Sequence, residues 1–230
     1  MPKPYFDIQQ FGEQTDIYIF GDIARCADEN SQDTSGHSLV QQLKKIPDAA
    51  EINLHIDSFG GNVSEGWAIY NALQNSHARV TSYADGFVAS AAIYPFLAGQ
   101  ERIASNVSAF YFHPASQFAG GYAEDLRSAA DALDQLTEIG LGAFTNAGVE
   151  EQAARDLVNS KAWYSPAAML EKGIATSIRK TGDASGVSQS VRGLIVQQLM
   201  VPHEGAQPPA EPQPKEPPAK PSLMQMLCNI

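Results

Sequence analysis

Glu51-Ile52-Asn53-Leu54-His55-Ile56-Asp57-Ser58-Phe59-Gly60-Gly61 is the stretch whose reading decides the fold. Ile52, Leu54 and Ile56 alternate with Asn53 and His55, the two-residue period of a strand with unlike faces. Ser58 to Gly61 reads as the turn that follows, because glycine supplies backbone conformations other residues resist. Beyond it, Ser64 to Gln74 carries Trp67, Ile69, Tyr70 and Leu73 at helical spacing. The unit then recurs, with Val80 to Ala84 a strand, Asp85-Gly86 a turn and Ala89 to Ala98 a helix. Upstream, Thr15 to Ile23 opens with strand alternation. Strand and helix in alternation imply an α/β fold with a parallel sheet and right-handed crossovers. Ligands of such folds sit beyond the carboxyl ends of the strands, where Gly61 and Ser90 both fall.

The rest of the chain extends this pattern. Ala24 to Gly36 is polar and turn-rich, and Ser38 to Ile46 reads as a short helix. Arg102-Ile103 and Ser108 to Phe112 are short strands. Glu124 to Asn146 is the longest helix, with Leu126, Ala129, Ala130, Leu133 and Leu136 along one stripe. Glu150 to Val158 and Ser165 to Lys172 are short helices, the second ended by Gly173. Ala175 to Ile178 is a last strand. Residues 1–180 therefore read as one domain. Residues 181–222 read as a proline-rich, disordered linker, since eight of the 14 prolines lie between Pro202 and Pro221. Residues 223–230, with Leu223-Met224-Gln225-Met226-Leu227, form a short apolar tail. That tail is either a docking tether or a dispensable end.

A chain of 230 residues with 43% hydrophobic content can bury one sizeable core. A net charge of −11 argues against nucleic acid and against an anionic membrane surface as partner. Cys26 and Cys228 form no disulfide framework, so a reducing cytoplasm is the expectation. The first residues lack an apolar signal core, and the apolar run from Gly86 to Gly99 is too short to span a bilayer. The cysteines and histidines lack metal-ligand spacing and no phosphate-binding glycine loop occurs, so no metal or cofactor is expected.

Chemistry gathers in three places: Gly60-Gly61, Gly86-Phe87-Val88-Ala89-Ser90-Ala91-Ala92, and Phe110-Tyr111-Phe112-His113-Pro114. A serine nucleophile needs a base within hydrogen-bond reach and N–H groups aimed at the developing oxyanion. Ser90 fits the nucleophile, His113 the base, and the N–H groups of Gly61 and Ala91 the oxyanion donors. A helix dipole behind Ser90 would add to the last of these. Each piece alone has a plainer reading: a small residue for close packing, a structural histidine, a tight turn. Together and in this order they favour catalysis. Strand alternation puts His113 on one face with Ala109 and Tyr111, away from Phe110 and Phe112. Of the other histidines, His37 falls in a loop, His77 in a polar turn and His203 in the tail. His55 precedes the glycine turn and faces the far side of the sheet.

These residues resemble the Clp protease proteolytic subunit family (ClpP), and within it the phage and prophage head maturation proteases. The resemblance runs from about Thr15 to Ile178. It includes Glu65-Gly66-Trp67-Ala68-Ile69-Tyr70-Asn71-Ala72-Leu73, Gly120-Gly121-Tyr122-Ala123-Glu124-Asp125-Leu126 and Tyr164-Ser165-Pro166-Ala167. It implies a ClpP/crotonase-like α/β fold of stacked ββα units with Glu124 to Asn146 as a protruding handle helix that meets an opposite ring. It implies a serine endopeptidase working through an acyl-enzyme in homo-oligomeric rings. The implied substrate is a capsid or scaffold protein, and the implied location the host cytoplasm, within assembling proheads. Whether an unfoldase takes part stays open.

The chain departs from the family twice. Phe59 stands where the family has a proline, a change that loosens the loop or reshapes the pocket. Lys161 stands where the family has the aspartate that orients the histidine. Three substitutes are open: Asn159 as an orienting amide, Asp156 reaching in from one turn earlier, and Lys161 itself as base. A plain Ser90–His113 dyad is the fourth possibility. Two other functional classes also remain, a crotonase-type acyl-CoA enzyme and a non-catalytic assembly protein.

Overall fold

The computed structural model describes residues 8–11, 14–24, 34–46 and 51–180. The linker and tail expected at 181–222 and 223–230 lie outside the described residues, as does most of the loop expected between Ala24 and Gly36.

The decisive stretch forms strand β5 (Glu51–Ser58), flanked in parallel by β2 (Gln14–Phe20) and β6 (Arg79–Ala89). Its apolar alternation does what the sequence reading requires. Ile52, Leu54 and Ile56 are fully buried beside Ile17 and Ile19 of β2 and Val80 and Ala84 of β6. Helix α2 (Val63–Gln74) covers this face with Ile69, Tyr70 and Leu73, and helix α3 (Ile93–Leu97) with Ile93, Phe96 and Leu97. Asn62 caps α2, its side-chain oxygen accepting from the Glu65 N–H. The main path of the sheet runs β1 (Ile8–Phe11), β2, β5, β6, β7 (Glu101–Ser105), β10 (Ser177–Arg179). Two short strands, β3 (Ile23–Ala24) and β4 (Thr34–Ser35), pair separately, and α1 (Gly36–Leu43) follows them. The architecture is the α/β, ClpP-like one that the resemblance implies.

The opposite face of the sheet carries in-register Tyr18, His55 and Tyr83. His55 stacks between the two tyrosine rings at 4.8 and 4.7 Å and binds Asp85 at 2.6 Å. Asp85 also holds Arg179 of β10 at 2.9 Å. His55 is thus a structural residue of the far face.

One expectation fails at Asp85-Gly86. No turn forms there; β6 continues unbroken to Ala89, 11 residues in all. The chain bends instead. Its first half pairs with β5 and β7, and its last residues pair with β8 (Ala109–Tyr111), which pairs with β9 (Trp163–Tyr164). The pairing with β5 shifts register between Ile56 and Ser58. The Asp57 carboxylate fills the gap, accepting from the Phe87 N–H at 2.8 Å. Gly86 makes this possible, since a Cβ there would overlap that carboxylate. The helix expected from Ala89 splits accordingly, into a 3₁₀ turn at Ser90–Ala92 and the five-residue α3.

Helix α4 (Ala123–Asn146) is the longest element. Its buried residues are Gly140, Leu141, Ala143 and Phe144, all in its second half. Leu126 is exposed, so the stripe near the helix start does not pack on the body. Helix α5 (Glu151–Ser160) and helix α6 (Pro166–Glu171) complete the chain up to β10. Arg102 ties this end together from inside. Its guanidinium donates to the carbonyls of Gly99, Ala147, Gly173 and Ile174.

Candidate active site

The loop after β5 is built to be rigid. Ser58 Oγ donates to the Gly21 carbonyl at 2.5 Å and accepts from the Gly60 N–H at 3.0 Å. Ile23 clamps the glycines from the side: its N–H donates to Gly60 O, and Asn62 N–H donates to Ile23 O, both at 2.7 Å. In this parallel bridge between Ile23 and Gly61, the N–H of Gly61 itself faces away from Ile23. Gly61 sits at φ +136, and a Cβ would overlap Ile23 O. Phe59, in place of a proline, does not leave the loop loose. Its ring stacks on Phe87 at 4.6 Å, and Phe87 in turn meets Trp163 at 5.5 Å.

Ser90 opens the 3₁₀ turn with φ +52, a conformation a serine adopts only when its surroundings impose it. Gly60 supplies much of that surrounding, because its bare Cα lies against Ala89, Ser90 and Ala91. The turn aims the Ser90 hydroxyl at His113, whose Nε2 lies 2.8 Å from Oγ. His113 extends the line of β8, with Tyr111 on its face and Phe110 and Phe112 buried behind. A helix dipole at Ser90 has little to add, since the turn is 3₁₀ and the helix behind it has five residues. The backbone N–H groups of Gly61 and Ala91 remain the candidate oxyanion donors.

The other ring nitrogen finds a backbone partner. His113 Nδ1 lies 2.6 Å from the carbonyl oxygen of Pro114. A carbonyl only accepts, so Nδ1 carries the proton and Nε2 is left to accept from Ser90. This is the tautomer a general base requires. Nothing in the side-chain pattern pointed to Pro114, because the acceptor is a main-chain atom.

Ser90, His113, Gly61 and Ala91 line one cavity, which also has Val63, Tyr94 and Phe112 in its wall. Asn159, Asp156 and Lys161 do not join them. Asn159 and Asp156 are exposed on α5, and the Asp156 carboxylate accepts from Gln152. Lys161 is exposed and terminates α5 in the left-handed conformation, φ +50. No hydrogen bond or ion pair joins any of the three to His113. Among the described residues, no carboxylate lines the cavity. Among the described residues, no cluster of side chains could hold a metal ion.

A model of the Clp protease family matches residues 15–182, and the chain belongs to that family. It is 30% identical over 145 residues to the ATP-dependent Clp protease proteolytic subunit 3 of Streptomyces avermitilis. That match covers 60% of this chain and 64% of the relative, so the chain spans under two thirds of that protein's length. It is 25% identical over 177 residues to the ATP-dependent Clp protease proteolytic subunit 2 of Treponema pallidum, covering 74% and 84%. Among solved structures, a ClpP1 mutant from Listeria monocytogenes superposes with a TM-score of 0.59 at 22% identity, covering 73% of this chain and 92% of that one.

Proposed function

We propose that this protein is a serine endopeptidase in which Ser90 and His113 form the reacting pair. The observation that carries the reading is the 2.8 Å approach of Ser90 Oγ to His113 Nε2, made by a serine held at φ +52. Ser90 Oγ attacks the scissile carbonyl carbon while Nε2 takes its proton. The carbonyl oxygen becomes an oxyanion, which the Gly61 and Ala91 N–H groups receive. Collapse breaks the C–N bond, the imidazolium returns its proton to the leaving amine, and an acyl-enzyme remains. Water then repeats the sequence and frees Ser90. The Pro114 carbonyl orients His113 throughout. Asn159, first of the sequence-based candidates for that task, would need a change in the end of α5 to reach Nδ1.

The family resemblance extends the reading to homo-oligomeric rings and to maturation of a phage or prophage head, with capsid or scaffold protein as substrate. The test of the chemistry is labelling of purified protein by a fluorophosphonate, beside Ser90→Ala and His113→Ala. Labelling lost in both variants is the expected result. A folded wild type that does not label would refute it. One observation favours a second reading, a non-catalytic assembly protein: a neutral carbonyl stands where a carboxylate would stabilise the imidazolium. Assembly that survives Ser90→Ala with wild-type biological activity would select that reading.

A further inference from the structure

The cavity beside Ser90 is small, about 60 Å³. Val63, Ile93, Tyr94, Leu136, Thr137 and Gly140 close it away from the reacting pair. Tyr94, one helical turn beyond Ser90, fixes its size. The Trp67 and Tyr94 rings meet edge to face at 5.8 Å. Burial holds the phenol above its ordinary pKa, so it stays neutral. At its far end the phenol oxygen lies so near Gly140 of α4 that a Cβ there would overlap it. The ring therefore spans from α2 to α4.

Thr137 Oγ1 donates to Leu133 O and accepts from the Ala115 N–H. A cavity of about 150 Å³ is what admits benzene. This one is less than half that size, enough for a methyl or ethyl group and too small for a phenyl ring.

Resting on the hydrolase reading above, we infer that this cavity is the S1 subsite and that it selects alanine-sized P1 residues, with Tyr94 setting the limit. The inferred substrate is a protein cleaved after a small aliphatic residue. Selection of this kind acts on kcat/KM, because a side chain that does not fit keeps the scissile carbonyl out of reach of Ser90.

Three peptidyl diphenyl phosphonates that differ only at P1, with alanine, leucine or phenylalanine side chains, test this on the full-length wild type. A fluorophosphonate without a P1 side chain reports the serine independently. The expected order is alanine fastest, with phenylalanine about 100-fold slower or worse. Equal rates, or a faster phenylalanine probe, with fluorophosphonate labelling intact would overturn the subsite and leave the hydrolase reading standing. Loss of fluorophosphonate labelling itself would remove both. In Tyr94→Ala, the phenylalanine-to-alanine rate ratio should rise by about 10-fold or more. Gly140→Ala, which drives the phenol into the cavity, should slow even the alanine probe. If Tyr94→Ala fails to fold, the wild-type rate order alone decides.

Discussion

Replacing Gly60 with alanine is a sharp test of how the reactive serine is held. Gly60 sits at φ +96, where an L-residue is strained by about 1–3 kcal/mol. Space adds a second, separate penalty. A Cβ would lie 2.6 Å from Ala89 O, 2.7 Å from Ala91 N and 2.7 Å from Ser90 Cβ, all closer than real Cβ atoms come. These are backbone and near-backbone atoms of the turn that presents Ser90, so the turn itself must retreat by some tenths of an ångström. Ser90 Oγ then moves off His113 and Ala91 N–H off the oxyanion position. Misplacement by 1 Å can cost about 100-fold, so labelling by a fluorophosphonate should slow by about 10- to 100-fold. Gly148 provides the control, with φ +87 and nothing within 4 Å of a Cβ. Gly148→Ala should carry the strain alone, a stability loss of about 1–2 kcal/mol with labelling unchanged. The assay is the second-order labelling rate of each variant, beside its thermal melt. A folded Gly60→Ala that labels at the wild-type rate would refute the idea that this glycine seats the serine.

Other expectations follow from the same geometry. Asn159→Ala, Asp156→Ala and Lys161→Asn should each leave the labelling rate within about 3-fold, whereas a residue orienting His113 would cost about 10⁴-fold; a large loss in any one would return that residue to the site. Arg102→Met strands four carbonyls inside the fold and should destabilise it by about 3–4 kcal/mol, read as a melting point lower by about 6–16 °C; a shift under about 3 °C would mean those carbonyls find water readily. Asp57→Ala leaves the Phe87 N–H without its acceptor, and should lower stability by about 1 kcal/mol and slow labelling; unchanged values in both would detach the bend of β6 from the site.

The parts of the fold legible in the sequence are those written in local alternation. Ile52, Leu54 and Ile56 announced the core face of β5. The contrast of Phe110 and Phe112 with Tyr111 and His113 announced which face of β8 meets the serine. The bend of β6 was hidden because it depends on a contact across strands, Asp57 with the Phe87 N–H, which local turn preferences at Asp85-Gly86 do not encode. The orienting partner of His113 escaped for a different reason. Side-chain patterns cannot single out one main-chain carbonyl, and the search among Asn159, Asp156 and Lys161 could not have found it.

That carbonyl also sets the chemical character of the site. An orienting carboxylate does two things: it selects the tautomer, and its charge stabilises the imidazolium formed as the serine attacks. Pro114 O does the first, since Nδ1 must donate to it. It does only a dipole's share of the second. In the proposed reaction the charge that develops in the transition state is then met chiefly on the oxyanion side, by the Gly61 and Ala91 N–H groups. Those donors are the most firmly built part of the site, with Ile23 bonded to both neighbours of Gly61 and Gly60 wedged beneath the serine turn. A site so arranged depends on donor placement more than on the strength of its base, and perturbing the glycine loop should slow it more than any change on α5.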